Sequence, residues 1–192
     1  MITNTHLLIS KIIYNYCGKK LNIKLNKWSF AYGNIKPDFV KDDSNYCHCI
    51  SGSINMVREY SKQLIHNKMS IKKYSITLGM VCHFICDYFC LYHTEKYKNK
   101  NIFQHLIYEI VLHFIFIKLL ICGKLKTIIN RDIVKKDVVL IINDVYQKYD
   151  KEDKSFTKDI NYAISAAIMI TEIIVSSDRL GYNYVRNNSK VC

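Results

Sequence analysis

Two pairs of residues have the types and spacing to hold a divalent cation. His83 and Asp87 lie four positions apart in "VCHFICDYF" (81–89), and His105 and Glu109 repeat the arrangement in "FQHLIYEIVLHF" (103–114). On a helix, residues i and i+4 share a face. An imidazole nitrogen and a carboxylate oxygen so placed can chelate one Zn2+ without distorting the backbone, because both are good zinc donors. Spacing alone fits a plain ion pair equally well. The apolar surroundings weaken that alternative, since a carboxylate taken out of water needs a cation or dense hydrogen bonding.

Four further residues carry the same chemistry. His6 lies near the start of the first predicted helix, and Asp38 follows Pro37 in "YGNIKPDF". His48 is flanked by Cys47 and Cys49 in "CHC", and His93 comes six residues after Asp87. Taken singly, each has an ordinary reading: a capping or surface imidazole, a turn aspartate, an exposed loop histidine, and a histidine too far round the helix to share the face of Asp87. Their joint order is more telling.

His6, then "GNIKPD" (33–38), then His48, then "HFICDYFCLYH" (83–93) and "HLIYE" (105–109) resembles the bacterial zinc-dependent phospholipase C family, whose fold is shared with the P1/S1 nucleases. The resemblance covers about residues 1–115, in the family's order. It implies an all-α fold and a cluster of two or three Zn2+ ions. Asp38, His48, His83 and Asp87 would hold one ion, His93, His105 and Glu109 a second, and His6 with a bridging Asp87 a third. It further implies a phosphodiesterase that hydrolyses the glycerol–phosphate ester of phospholipids with metal-activated water, Asp38 being the candidate general base. In the family the third ion is also chelated by an N-terminal tryptophan, through its α-amino and carbonyl groups. No tryptophan precedes His6 here. Met1 is the substitute, formylation would block its amine, and a two-ion cluster is the alternative. Phe39 stands where choline-binding phospholipases carry a tyrosine, so a choline preference does not carry over. A single-strand nuclease or phosphatase on the same ions, or a metal-stabilised helical module without catalysis, are the competing readings.

The elements that must position these residues are predicted to be helical throughout. One proline and six glycines in 192 residues leave few backbone breakers, and no stretch alternates as a strand would. The periodicity predicts a single all-α domain over 1–192, a bundle of about seven helices. They fall at 4–17, at "KLNKWSFAY" (24–32), from about 53 to 66, from an N-cap at Ser70 through the His83 segment, at about 101–122 stopped by Gly123, near 130–149, and at 156–180. Residues 33–51 read as irregular.

With 28 Lys and Arg against 16 Asp and Glu, the chain carries a charge of +12. The excess attracts anions, whether nucleic acid, phospholipid headgroups or other phosphodiesters, and allows transient contact with an anionic membrane surface. The basic residues are scattered, and part of the excess reflects a chain generally crowded with Lys, Ile, Asn and Tyr. Residues 102–122 have the length of a membrane span, but Glu109 at mid-bilayer would be costly, so a buried helix is predicted and no transmembrane segment. Trp28, Phe30 and Phe39 are candidates for an apolar rim. Cys82, Cys86 and Cys90 recur every four residues, which predicts a packed stripe, and with no CxxC pair the cysteines of the chain are expected to be reduced thiols. His113 reads as a supporting or core histidine, and His66 as exposed. The N-terminus lacks the pattern of a signal peptide, so a cytoplasmic location is expected, or secretion if this is a mature form.

Overall fold

The computed structural model describes residues 1–39, 48–97, 101–127 and 137–177, and within them the chain is all-helical. Eight α-helices follow in order: α1 (Thr3–Lys19), α2 (Lys27–Gly33), α3 (Lys36–Phe39), α4 (Ile50–His66), α5 (Ile71–Tyr88), α6 (Ile102–Ile121), α7 (Val138–Lys151) and α8 (Phe156–Ser177). A 3-10 turn, Leu91–His93, lies between α5 and α6. The count exceeds seven because the stretch read as irregular contains the short α3, where Pro37 occupies an early helical position that lacks a hydrogen-bonding need.

Side-chain caps mark several helix starts. Asn26 accepts from the Ser29 amide, Ser70 from Lys73, Asn101 from Phe103 and Asp137 from Val139, each satisfying an amide that the first turn leaves unpaired. Gly123, at φ +62°, ends α6 in the left-handed conformation that glycine adopts without a Cβ penalty.

α5 runs through the middle of the molecule, packed against α2, α4 and α8. From Leu78 to Tyr88 every one of its residues is buried, as befits a helix apolar on nearly all sides. α8 is buried almost as completely and contributes Ala163, Ala167, Ile170 and Ile174 to the same core. Each such isoleucine contributes roughly 1.5–3 kcal/mol when removed from water, and the alanines less. The cysteine stripe behaves as expected: Cys82, Cys86 and Cys90 are buried and free.

Three expectations need correction. Phe30 is core, not rim, because α2 turns that face onto α5; Trp28 and Phe39 are exposed. Cys49 is disulfide-bonded rather than reduced, lying outside the helical stripe in the chain that leads into α4; Cys47 lies outside the described residues. The helix over 102–121 is not buried. Only Glu109, Leu112 and Phe116 of α6 are fully buried, because the bundle meets it along one edge.

α2 and α5 cross at two glycines. A Cβ on Gly79 would stand 2.5 Å from the Phe30 carbonyl oxygen, and one on Gly33 would stand 2.2 Å from that of Ile76. This close approach places the Asn34 carbonyl beside the middle of α5. Gly79→Ala should therefore destabilise the fold by about 1–3 kcal/mol through overpacking, despite alanine's better helix propensity. Urea denaturation monitored by circular dichroism measures it; an unchanged midpoint would mean that the crossing is looser than described.

Candidate metal centre

Asp87 stands at the centre of the site, fully buried near the C-terminal end of α5. Its two carboxylate oxygens face two different groups of donors. Oδ2 lies 2.7 Å from His48 Nδ1 and 3.3 Å from His83 Nε2. Oδ1 lies 2.5 Å from the α-amino nitrogen of Met1 and 3.2 Å from His6 Nε2. Beyond it, His93 Nε2 is 3.9 Å from Oδ1.

On the first side His48 Nδ1 and His83 Nε2 are 3.2 Å apart, and Asp38 Oδ1 stands 3.6 Å from His83 Nε2. The far nitrogen of His83 explains its orientation. Nδ1–H donates to the Asn34 carbonyl at 2.8 Å, which leaves Nε2 as the nitrogen with a lone pair turned towards Asp87 and His48. The glycine crossing is what brings that carbonyl within reach. Ser53 donates to the Cys49 carbonyl and accepts from Tyr88, tying the chain around His48 to α5. Asp38 comes from α3, with Thr3 Oγ1 donating to its Oδ2 at 3.3 Å.

On the second side His93, His105 and Glu109 converge. His93 Nε2 lies 2.8 Å and His105 Nε2 2.9 Å from Glu109 Oε1, and the two nitrogens are 3.3 Å apart. The Met1 nitrogen sits 2.9 Å from the same Glu109 oxygen and 3.0 Å from His93 Nε2. Cys90 Sγ also approaches His93 and Glu109 within 4.8 Å. All eight residues singled out in the sequence are thus brought together. His113 is apart from them, its Nδ1 2.9 Å from Thr5 Oγ1, and His66 is exposed.

These distances suit zinc. Two donors held by one tetrahedral ion at ~2.05 Å are ~3.3 Å from each other, close to what separates the nitrogens within each group. His6 supplies an independent test of fit. It is fully buried, and neither ring nitrogen has a hydrogen-bond partner among the described residues. Its Nε2 is near Asp87 without hydrogen-bond geometry. An orphaned buried imidazole costs on the order of 1–3 kcal/mol, and a cation between Nε2 and Asp87 would remove that cost.

The protonation states agree with a cation-binding role. Burial pushes the Asp87 carboxyl up, but its electrostatic interactions with His93, the terminal amine, His6 and His83 override it and hold the group well below the usual carboxylate range. Glu109 is likewise held down against its burial by hydrogen bonds from His105 and His93. Burial, reinforced by neighbouring His6, drives His83 far down, and burial brings His93 to about 4. Both rings are therefore neutral at pH 7, the state that coordinates metal. Burial would lower the Met1 amine, but Asp87, Cys90 and Glu109 raise it to about 12, so it would have to release a proton to act as a donor.

The comparison with known families decides the affiliation. A family model described as zinc dependent phospholipase C matches residues 5–165. The chain belongs to the zinc-dependent phospholipase C family. No curated protein and no solved structure matches it. In this family member the helical fold gathers several His/Asp and His/Glu/Cys groups with the spacing of metal donors, which supports a zinc-dependent hydrolase.

Sequence reasoning missed one residue that organises the second side. Asp159, in the first turn of α8, is buried and accepts from the Leu91 amide at 2.8 Å, Tyr108 OH at 2.6 Å and Tyr149 OH at 2.8 Å. It thereby fixes the turn that presents His93 and the helix that presents Glu109 and His105. Nothing local marks it, since an acid in a first turn usually serves the helix dipole. Asp159→Asn should cost about 1.5–3 kcal/mol in stability and lower zinc affinity about 10–100-fold, read by denaturation and by competition with a chromogenic chelator. Unchanged zinc affinity would limit Asp159 to a packing role.

A pH dependence follows for the metal-free protein. The folded-state pKa of His93, about 4, lies below its ordinary 6.5, so the unfolded chain binds the proton first. Its contribution is complete above pH 6.5 and is lost as pH falls towards 4; the lowered Asp87 and Glu109 extend the loss below the ordinary carboxylate range. Urea midpoints at pH 7, 5.5 and 4 should decline in that order, and a flat profile would contradict the assignment.

Proposed function

We propose that the protein is a zinc-dependent phosphodiesterase acting on phospholipids, with the glycerol–phosphate ester as the bond cleaved. The observation that carries the reading is the grouping of donors: His48 and His83 beside Asp87 Oδ2, and His93 and His105 beside Glu109, with ring nitrogens 3.2 and 3.3 Å apart as one tetrahedral ion requires. Membership of the family supports the substrate class.

In this reading Asp38, His48, His83 and Asp87 hold one ion, and His93, His105 and Glu109 hold a second. His6 and Asp87 hold a third, with the α-amino nitrogen of Met1 as an additional donor. When bound, zinc supplies Lewis-acid polarisation of a phosphoryl oxygen and lowers the pKa of water. The chain's residues set the geometry. Asn34 keeps His83 in the tautomer that presents Nε2. Asp38 is the most solvent-accessible carboxylate of the cluster, at 21% for its side chain. Burial pushes its carboxyl up while the nearby charge of His6 opposes this, and a raised pKa suits a group that must take a proton from water. Thr3, donating to Oδ2, orients that carboxylate.

The variants Asp38→Asn and His83→Ala separate catalysis from metal binding. Asp38→Asn should retain zinc and lose about 10²–10⁴ in kcat, whereas His83→Ala should lose zinc and activity together. Elemental analysis and hydrolysis of phosphatidylcholine, anionic phospholipids, single-stranded DNA and bis-p-nitrophenyl phosphate, with and without chelator, provide the readouts. Protein prepared without chelators that contains no zinc would sink the proposal. Cleavage of DNA without cleavage of lipid would move the activity to nucleic acid, and zinc without any hydrolysis would mark a structural module.

A further inference from the structure

α6 differs from every other long helix of the bundle in what it leaves uncovered. Phe103 is 72% exposed, Phe114 65% and Ile121 81%, and Ile102, Ile107 and Ile110 are exposed with them. At 100° per residue, the uncovered apolar positions span about half of the helix circumference, and from Phe103 to Ile121 they run ~27 Å. A contiguous exposed apolar face of this kind marks an interaction site. The helix is long and apolar enough to cross a membrane by length and composition. It does not do so here, because Leu112 and Phe116 pack into the core and His105 and Glu109 face the metal centre.

Charge and width point to the occupant. Between residues 96 and 126 there are six lysines and a single acid, Glu109, and that acid is buried against the cluster. Lys118, Lys124 and Lys126 are exposed at the C-terminal end of the apolar face. A helix with a broad apolar side and flanking lysines fits the boundary between headgroups and acyl chains of an anionic bilayer. A partner helix of a coiled coil would need only a narrow seam.

We propose that the exposed face of α6 is a lipid-docking surface, which lies along an anionic bilayer and holds the adjacent cluster at the level of the headgroups. The proposal rests on the phospholipid reading above and adds to it the element that engages the bilayer. One helix then does both tasks, its inner margin carrying His105 and Glu109 and its outer side meeting the lipid.

The test is flotation of the full chain with vesicles of phosphatidylglycerol and phosphatidylcholine, and with phosphatidylcholine alone. Wild type should bind the anionic vesicles more tightly, and less so at high salt. The triple variant Phe103→Ser/Ile107→Ser/Phe114→Ser should bind them about tenfold more weakly or worse, while its zinc content and hydrolysis of soluble bis-p-nitrophenyl phosphate stay at wild-type values. Lys118→Gln/Lys124→Gln/Lys126→Gln, which leaves the apolar side chains in place, should weaken binding to anionic vesicles alone. Undiminished vesicle binding by a folded apolar triple variant would overturn the proposal. So would a wild-type dimer in sedimentation that this variant dissolves and that ignores vesicles, since the face would then belong to a second copy. Vesicle binding that follows the expectation in a protein inert towards every phosphodiester would uphold the surface and reject only the enzymatic reading.

Discussion

The buried carboxylate of Asp87 is the constraint around which the rest of the molecule is arranged. An anion taken wholly out of water costs several kcal/mol unless positive or hydrogen-bonding partners surround it. α5 offers no such partner besides His83, one turn earlier. The compensation therefore comes from elsewhere: the terminal amine from the start of the chain and His48 from the approach to α4 bind it directly, while His6 and the turn of His93 close round at 3.2 and 3.9 Å. Three separate parts of the chain are drawn to one pair of oxygen atoms on α5. The same arrangement that satisfies the anion leaves its neighbours with converging lone pairs, the condition for binding cations in numbers.

Rigidity around Asp87 comes from packing and from polar ties one step removed. The glycine crossing of α2 and α5 sets the position of the Asn34 carbonyl and hence the orientation of His83. Asp159 gathers a backbone amide and two tyrosines, joining α8 to the turn of His93 and to α6. These contacts make no approach to a substrate. They hold the paired histidine nitrogens within a few tenths of an ångström of the spacing that one ion requires.

α6 shows how one helix answers two environments. Its covered edge contributes Leu112 and Phe116 to the core and Glu109 to the cluster, while most of its apolar residues face outward. Burial in the bundle is thus not what its composition serves. The exposed side adjoins the second group of donors, so whatever covers it also approaches the chemistry.

What could be read from the residues alone was whatever depends on local geometry. Helices follow from the 3.6-residue period and the scarcity of breakers, and Ser70 and Gly123 were legible as their ends because caps and left-handed stops are local. His83 with Asp87 and His105 with Glu109 were legible as pairs, since i,i+4 neighbours meet on any helix. The ordered motif extended those pairs to His6, Asp38, His48 and His93. Tertiary structure decided the rest. It gave Asp87's two oxygens to different partners and brought His93 against His105 from another element. It turned Phe30 inward, recruited Asp159 from far along the chain, and left α6 bare. Each of these depends on how helices pack across long separations, and periodicity carries no record of which apolar face finds a neighbour.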